Sequence, residues 1–256
     1  MWRLYDELID GIPENLVIED YNIGCALAMV QARGTAGIAL TVKGHSLDPL
    51  YQGPVIGESL KTIAACVKSW NFIEASLGMA AINCYYNSPQ NVAALGGFDD
   101  LDIGDESLEN NKSKDAFAIL AEEAAGKKVA VIGHFPHIER TLRPICDLSI
   151  LERNPDKGDY PDSACDYILC EQDMVFVTGM TFTNKTLPHL LQVINLSARV
   201  ILVGPSVPLT PLLYRYGVTD LDGFCVMNPE KINQLVRHGQ NFSIFQGGKM
   251  VSIRKK

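Results

Sequence analysis

Between residues 128 and 206 the chain repeats one rhythm: a short apolar run stops on turn residues, and a helical pattern follows. The apolar runs are KVAVIGHF, DLSILERNP, DMVFVTGMT and ARVILVGPS. The helical segments are HIERTLRPI, SACDYILCEQ, LPHLLQVIN and TPLLYRYG. Runs that are apolar almost throughout, rather than alternating, belong to strands buried on both faces. Strands that alternate with helices build a parallel sheet with helices packed on it. Pro188 and the Thr210-Pro211 pair fit first helical turns, and Gly217 fits a helix end. A helix over residues 112–126, ending on Gly126, leads into the series. These patterns predict an α/β fold for the second half of the chain.

The first half reads differently. Residues 1–16 carry an amphipathic helical pattern. Residues 17–31 and 36–43 are β-rich, with a hairpin turn at Arg33-Gly34-Thr35. Helical patterns follow over 57–70 and 71–87, so this half is expected to be a small α+β unit. Residues 88–111 are rich in Gly, Asp and Asn and read as the connection. The expected organisation is an α+β domain over residues 1–100 and an α/β domain over residues 101–256.

Composition narrows the partners. The 256 residues are 47% hydrophobic and 20% charged, with a net charge of -8, as suits a packed globular core. The only basic run is Arg254-Lys255-Lys256, which argues against nucleic acid. No apolar run is long enough to span a bilayer. The opening segment has acidic residues where a signal peptide would be apolar, so a cytoplasmic location is expected. The seven cysteines include no CxxC pair. Most sit in apolar segments, and Cys25, Cys66 and Cys84 are expected to be buried free thiols. Homo-oligomerisation is left open.

In an open parallel sheet, ligands bind beyond the carboxyl ends of the strands. Four unusual loops are gathered there: Gly133-His134-Phe135-Pro136; Glu152 to Asp162; Thr178 to Thr186; and Gly204 to Pro208. Together they offer amide donors, hydroxyls, acids, a guanidinium and an imidazole. Asp162 or Ser163 also fits a helix cap. The third loop is the most distinctive, being crowded with threonines and an asparagine.

The chemistry those loops serve is less constrained. A dinucleotide fit is poor, because the first turn has one glycine, then Phe135 where a pyrophosphate would approach and Pro136 without an N–H. Only Glu152, roughly 20 residues on, matches a ribose-binding acid. There is no Walker A sequence. A metal site could be built on His134 with Cys146 or Asp159, although Pro136 puts a turn between His134 and His137. His45, His189 and His238 belong to no local ligand pattern.

As a set, GHFP, LERNP, GDYPDSA, TGMTFTNKT and GPSVPLTP resemble a family named for heavy-metal chelation. GIALTV and AAIN resemble the small domain that precedes it. The resemblance implies an N-terminal domain like that of enolase, then a Rossmann-like domain. It also implies a metal-linked role, through a small chelating, pterin-like or flavin-like compound or its metal complex. Carried over by position, Gly133, Phe135, Arg153, Thr178, Gly179, Thr181, Asn184, Thr186, Gly204, Pro205 and Ser206 line or shape the cleft. Asn83 is the contribution of the small domain. His134, Glu152 and Asp159 are the candidate acid–base groups, and Asp162 lies beside them. The resemblance fixes neither a reaction nor a cofactor. Three readings follow: an interdomain cleft that binds a small metabolite or its metal complex, either acting on it as an enzyme or only capturing it; a non-catalytic metal-binding protein that uses His134; and a nucleotide-cofactor-binding enzyme.

Overall fold

The computed structural model describes residues 2–44, 47–97 and 116–255. Three antiparallel strands form the first sheet: β1 (Ile18–Ile23), β2 (Leu27–Ala32) and β3 (Thr35–Leu40), in that order. Arg33 and Gly34 make the turn between β2 and β3 with φ of 50° and 69°. Two residues at positive φ give the hairpin turn whose twist matches its strands. Thr35, expected in the turn, already belongs to β3.

A long helix, Phe72–Tyr86, lies on this sheet. Asn71 caps it by accepting the Glu74 N–H at 3.2 Å. Every residue from Glu74 to Cys84 is buried, the mark of a helix packed on all sides. The first sheet covers one side, and the helices Leu60–Ala65 and Met180–Thr183 cover others. Gly37 in β3 permits the closest approach, since a Cβ there would stand 2.0 Å from the Cys84 backbone nitrogen.

The second sheet has seven strands: β4 (Lys128–Ile132), β5 (Asp147–Glu152), β6 (Tyr160–Pro161), β7 (Met174–Thr178), β8 (Arg199–Val203), β9 (Asp220–Val226) and β10 (Gly248–Arg254). Their order is β10-β9-β8-β7-β4-β5-β6. All neighbours are parallel except β9 and β10. The chain runs outward from β4 through β5 to β6, crosses back to the other side of β4, and continues through β7, β8 and β9. The direction reverses between β4 and β7, and such a reversal opens a crevice at the carboxyl ends of the two strands.

The four apolar runs are β4, β5, β7 and β8, as expected. β9 is fully buried yet holds Asp220 and Asp222. Asp220 is paired with Arg199 at 2.7 and 2.8 Å, and Asp222 accepts from Ser252 at 2.8 Å. These satisfied charges disguise a core strand as a polar segment. TPLLYRYG forms a 3₁₀ helix, Pro211–Tyr216. Part of the expected connection is a helix, Pro89–Ala94, with Val92 fully buried. Residues 98–115, which include the start of the expected 112–126 helix, lie outside the described residues, as does His45.

One buried cluster contains Leu4, Ile82 and Cys84 together with Val175, Leu202 and Ile253, so both sheets feed a single core. Buried amides tie the joint. Asn83 Nδ2 donates to the Ile38 carbonyl at 2.8 Å and the Pro205 carbonyl at 3.2 Å. Asn87 Nδ2 donates to the Val207 and Phe224 carbonyls at 2.9 and 3.1 Å, and its Oδ1 accepts the Leu209 N–H at 2.7 Å. Ser206 Oγ accepts the Leu40 N–H at 2.8 Å. All seven cysteines are free. Cys66 and Cys84 are buried as expected. Cys25 is instead exposed, because it falls in the turn between β1 and β2.

Candidate functional site

At the end of β4 the chain turns on Gly133, at φ 101°, while its N–H still bonds the Leu151 carbonyl of β5 at 2.9 Å. That φ needs glycine. The turn delivers His134 to the sheet edge. Its backbone N–H donates to Glu152 Oε2 at 3.0 Å, and its ring Nδ1 lies 2.9 Å from Asp159 Oδ2. The Asp159 side chain is 2% exposed against 33% for His134. Its Oδ2 also accepts the Asp156 N–H at 3.1 Å. The carboxylate hydrogen bond pushes the His134 pKa up, against the opposing effect of burial. With Nδ1 committed to Asp159, Nε2 is the ring atom left for a ligand.

Asp156 completes a cluster. Donor atoms of His134, Asp156 and Asp159 all lie within 4.8 Å of one another. Glu152, a candidate acid–base group, is committed to the backbone. Beyond His134, it accepts from the Arg153 and Asn154 N–H groups at 2.7 and 3.1 Å. It holds two turns together rather than presenting a free carboxylate. Arg153 Nε donates to Asp162 at 3.1 Å, so Asp162 faces a guanidinium instead of capping a helix. Cys146 sits just before β5, at the end of that strand opposite Glu152, with its thiol on the Leu142 carbonyl. It therefore takes no part in the cluster.

The threonine-rich loop follows β7. Thr178 Oγ1 accepts the Met180 N–H at 3.3 Å, and Thr181 donates to the Thr178 carbonyl at 2.6 Å. Asn184 Oδ1 accepts both the N–H and the hydroxyl of Thr186, at 3.1 and 2.7 Å. Lys185, at φ 66°, donates to the Ser69 and Thr183 carbonyls at 2.5 and 2.6 Å. Its ammonium stands 5.1 Å from the Phe72 ring centre and 5.8 Å from that of Trp70. Burial pushes its pKa down to about 8, while Glu74 acts in the opposite sense.

These loops border a cleft of about 530 Å³, a size suited to a small molecule. Gly133, His134, Phe135 and Arg153 line it together with Thr178, Thr181, Asn184 and Thr186, and the two groups adjoin where a Cβ on Gly133 would stand 3.2 Å from the Thr178 side chain. Phe135 is half-buried and packs edge-on against Phe117 at 5.1 Å. Leu40, Val42 and Lys43, from the exit of β3, also reach the cleft. Asn83, Gly179, Gly204, Pro205 and Ser206 are not among the lining residues. Asn83, Pro205 and Ser206 belong to the joint between the two sheets, a Cβ on Gly179 would stand 2.9 Å from Ser206 and Val207, and Gly204 turns the chain after β8 at φ 114°. Sequence reasoning passed over Lys43, Asp156 and the pair Asp166 and His189, which also line or border the cleft. Asp156 had a local signal in the DKGD spacing. His189 had none, because the fold alone brings it there.

A mostly parallel sheet with a small-molecule-sized cleft at its reversal, and a histidine–carboxylate cluster beside it, defines an α/β protein with grouped potential metal donors at a strand-end cleft. Residues 115–255 match the DUF364 family model and residues 5–86 match DUF4213, each described as "Putative heavy-metal chelation". The chain belongs to the DUF364 family. It is similar over its whole length to a crystal structure of a DUF364 protein of unknown function from Desulfitobacterium hafniense DCB-2. That likeness has 38% identity, a TM-score of 0.89 and 99% coverage of the other chain. A DUF364 protein of unknown function from Pyrococcus horikoshii shares the fold, with 24% identity and a TM-score of 0.78 over 99% of this chain and 98% of that one. An uncharacterized protein of Methanocaldococcus jannaschii is 25% identical over 94% of this chain and 90% of its own length. Among the described residues, no helix is long and apolar enough to cross a membrane.

Proposed function

We propose that the cleft binds a small anionic chelator together with a divalent cation, and that His134 supplies an imidazole to the metal. The cleft is read as lying between a unit of residues 1–100 and one of residues 101–256. The observation that carries the reading is the cluster of His134, Asp156 and Asp159, with donor atoms within 4.8 Å, at the lip of a cleft of about 530 Å³. The metal is cargo, and its class follows from the donors. One imidazole, oriented through Nδ1 by Asp159, and the Asp156 carboxylate beside it suit borderline ions such as Zn²⁺, Ni²⁺ or Co²⁺, whereas soft heavy ions prefer thiolates. The cysteine of the cleft, Cys165, is no thiolate, since burial pushes its pKa up to about 11.

So few protein donors leave coordination positions for a second molecule. Arg153 has its Nη groups free of any ion pair among the described residues, and Lys43 has no partner among them. Both can meet the carboxylates of a chelator. Phe135 supports a flat conjugated ring of the pterin or flavin kind as the organic part, because it offers a half-buried aromatic surface.

Calorimetry with Zn²⁺ and Ni²⁺, alone and as nitrilotriacetate complexes, tests the reading. The complexes are expected to bind more tightly than the bare ions, and His134→Ala is expected to abolish both. Binding of Cd²⁺ alone that survives His134→Ala, or chelators that only strip metal from the protein, would place the function elsewhere.

A further inference from the structure

The cleft holds a second imidazole–carboxylate pair. His189 follows Pro188 in the first turn of the helix Leu187–Val193, and its Nε2 lies 2.7 Å from Asp166 Oδ1. Both residues line the same cleft as His134. The two pairs are built in opposite senses. Asp159 engages Nδ1 of His134, whereas Asp166 engages Nε2 of His189 and leaves Nδ1 without a partner among the described residues. They also differ in setting. Asp159 is almost sealed, but His189 and Asp166 are each 54% exposed. The sealed carboxylate holds a ring still for ligation. The open pair can exchange a proton with water, and Asp166 balances the charge of an imidazolium.

We infer that His189 is the proton acceptor of the cleft, and that the chelator is therefore of the protic class. Its metal-binding oxygen carries a hydrogen in the free acid, as in a hydroxamic acid, a catechol or a hydroxy acid. The inference rests on the chelator-binding reading above. Metal binding by such a group expels a proton. In the step proposed, the ligand O–H bond breaks and its proton moves to Nδ1 of neutral His189. The oxygen lone pair thus freed binds the cation. The product is an imidazolium hydrogen-bonded to Asp166, and no atom changes oxidation state.

The test compares two zinc complexes on the full chain. One uses acetohydroxamic acid, which must lose a proton, and the other 2,2′-bipyridine, which has none to lose. Calorimetry in buffers of different ionisation enthalpy gives affinity and proton count together. His189→Gln is expected to weaken the hydroxamate complex by about tenfold and to leave the bipyridine complex within about twofold. About one more proton should reach the buffer per hydroxamate bound than with the wild type. Asp166→Asn should shift both quantities the same way by less, with unchanged melting temperatures showing that both variants fold. If His189→Gln leaves the hydroxamate affinity and the proton count unchanged, or weakens both complexes equally, the inference fails while the chelator-binding reading stands. If the wild type binds neither complex, or both survive His134→Ala, the chelator-binding reading fails first.

Discussion

The two stretches that line the cleft from the ends of the neighbouring strands β4 and β7 are both rich in polar side chains, and they spend them differently. After β4 and β5, a nearly sealed Asp159 bonds Nδ1 of His134, whose Nε2 has no partner among the described residues. After β7, the hydroxyl of Thr181, the Oδ1 of Asn184 and the ammonium of Lys185 all bond within the loop or to the neighbouring Ser69. The stretch holds only the one-turn helix Met180–Thr183, so its remaining backbone groups need local partners, and Thr and Asn side chains supply them. Polar composition therefore measures what the chain has, while binding capacity is what remains after the loop has closed. On the reading proposed above, the first loop is the lip that meets a ligand and the second a wall closed on its own hydrogen bonds.

That contrast can be broken most directly at His134. Its replacement by alanine should cost on the order of 100-fold or more in Zn²⁺ or Ni²⁺ affinity, read by calorimetry, since a ligand is removed outright. Asp159→Asn should cost about 10- to 100-fold, the usual effect of losing the partner that orients a ligating imidazole. A full-strength site in Asp159→Asn would mean that the sealed carboxylate orients nothing.

The pH dependence is the next largest effect. Metal needs the neutral ring, and Asp159 raises the His134 pKa above its ordinary 6.5. Affinity should therefore begin to fall at a pH above 6.5. Below the raised value it should fall by about tenfold per pH unit, the slope of one displaced proton. A titration whose decline begins only below 6.5 contradicts the Asp159 contact in solution. The smallest effect is expected in the wall. Thr181→Val should lower stability by about 0.5–1.5 kcal/mol, the net worth of one such bond, and change metal affinity by less than about twofold. A tenfold loss of affinity in that variant, at unchanged stability, would make the wall a ligand contact and erase the contrast.

The sheet was legible because buried parallel strands are apolar on both faces, a pattern that survives without any tertiary information. VAVI, SIL, VFVT and VILV all sit where that rule puts them. β9 was hidden because Arg199 and Ser252, distant in sequence, satisfy its two aspartates. The lip of the cleft was half legible. His134 and Asp159 share a loop cluster that topology alone assembles, but the role of Glu152 as a backbone acceptor depends on register. The count of free donors in the 178–186 loop was not legible, since Asn and Thr look the same in sequence whether they bond a ligand or their own backbone. A buried amide demands partners: two carbonyls satisfy the Nδ2 of Asn83, while its buried Oδ1 has no partner among the described residues.

The amides at the end of the long helix also bear on how the gene can change. The two matched stretches, 5–86 and 115–255, look like separable modules. Yet Asn83 of the first bonds a carbonyl of the second, and Asn87, outside both, bonds three backbone groups of the second. A recombinant that joined either half to an unrelated partner would bury these polar groups unpaired, at about 1–3 kcal/mol each, beside a core that has lost its other side. Selection thus sees the two stretches as one heritable unit, and they are expected to travel together through duplication, fusion and transfer.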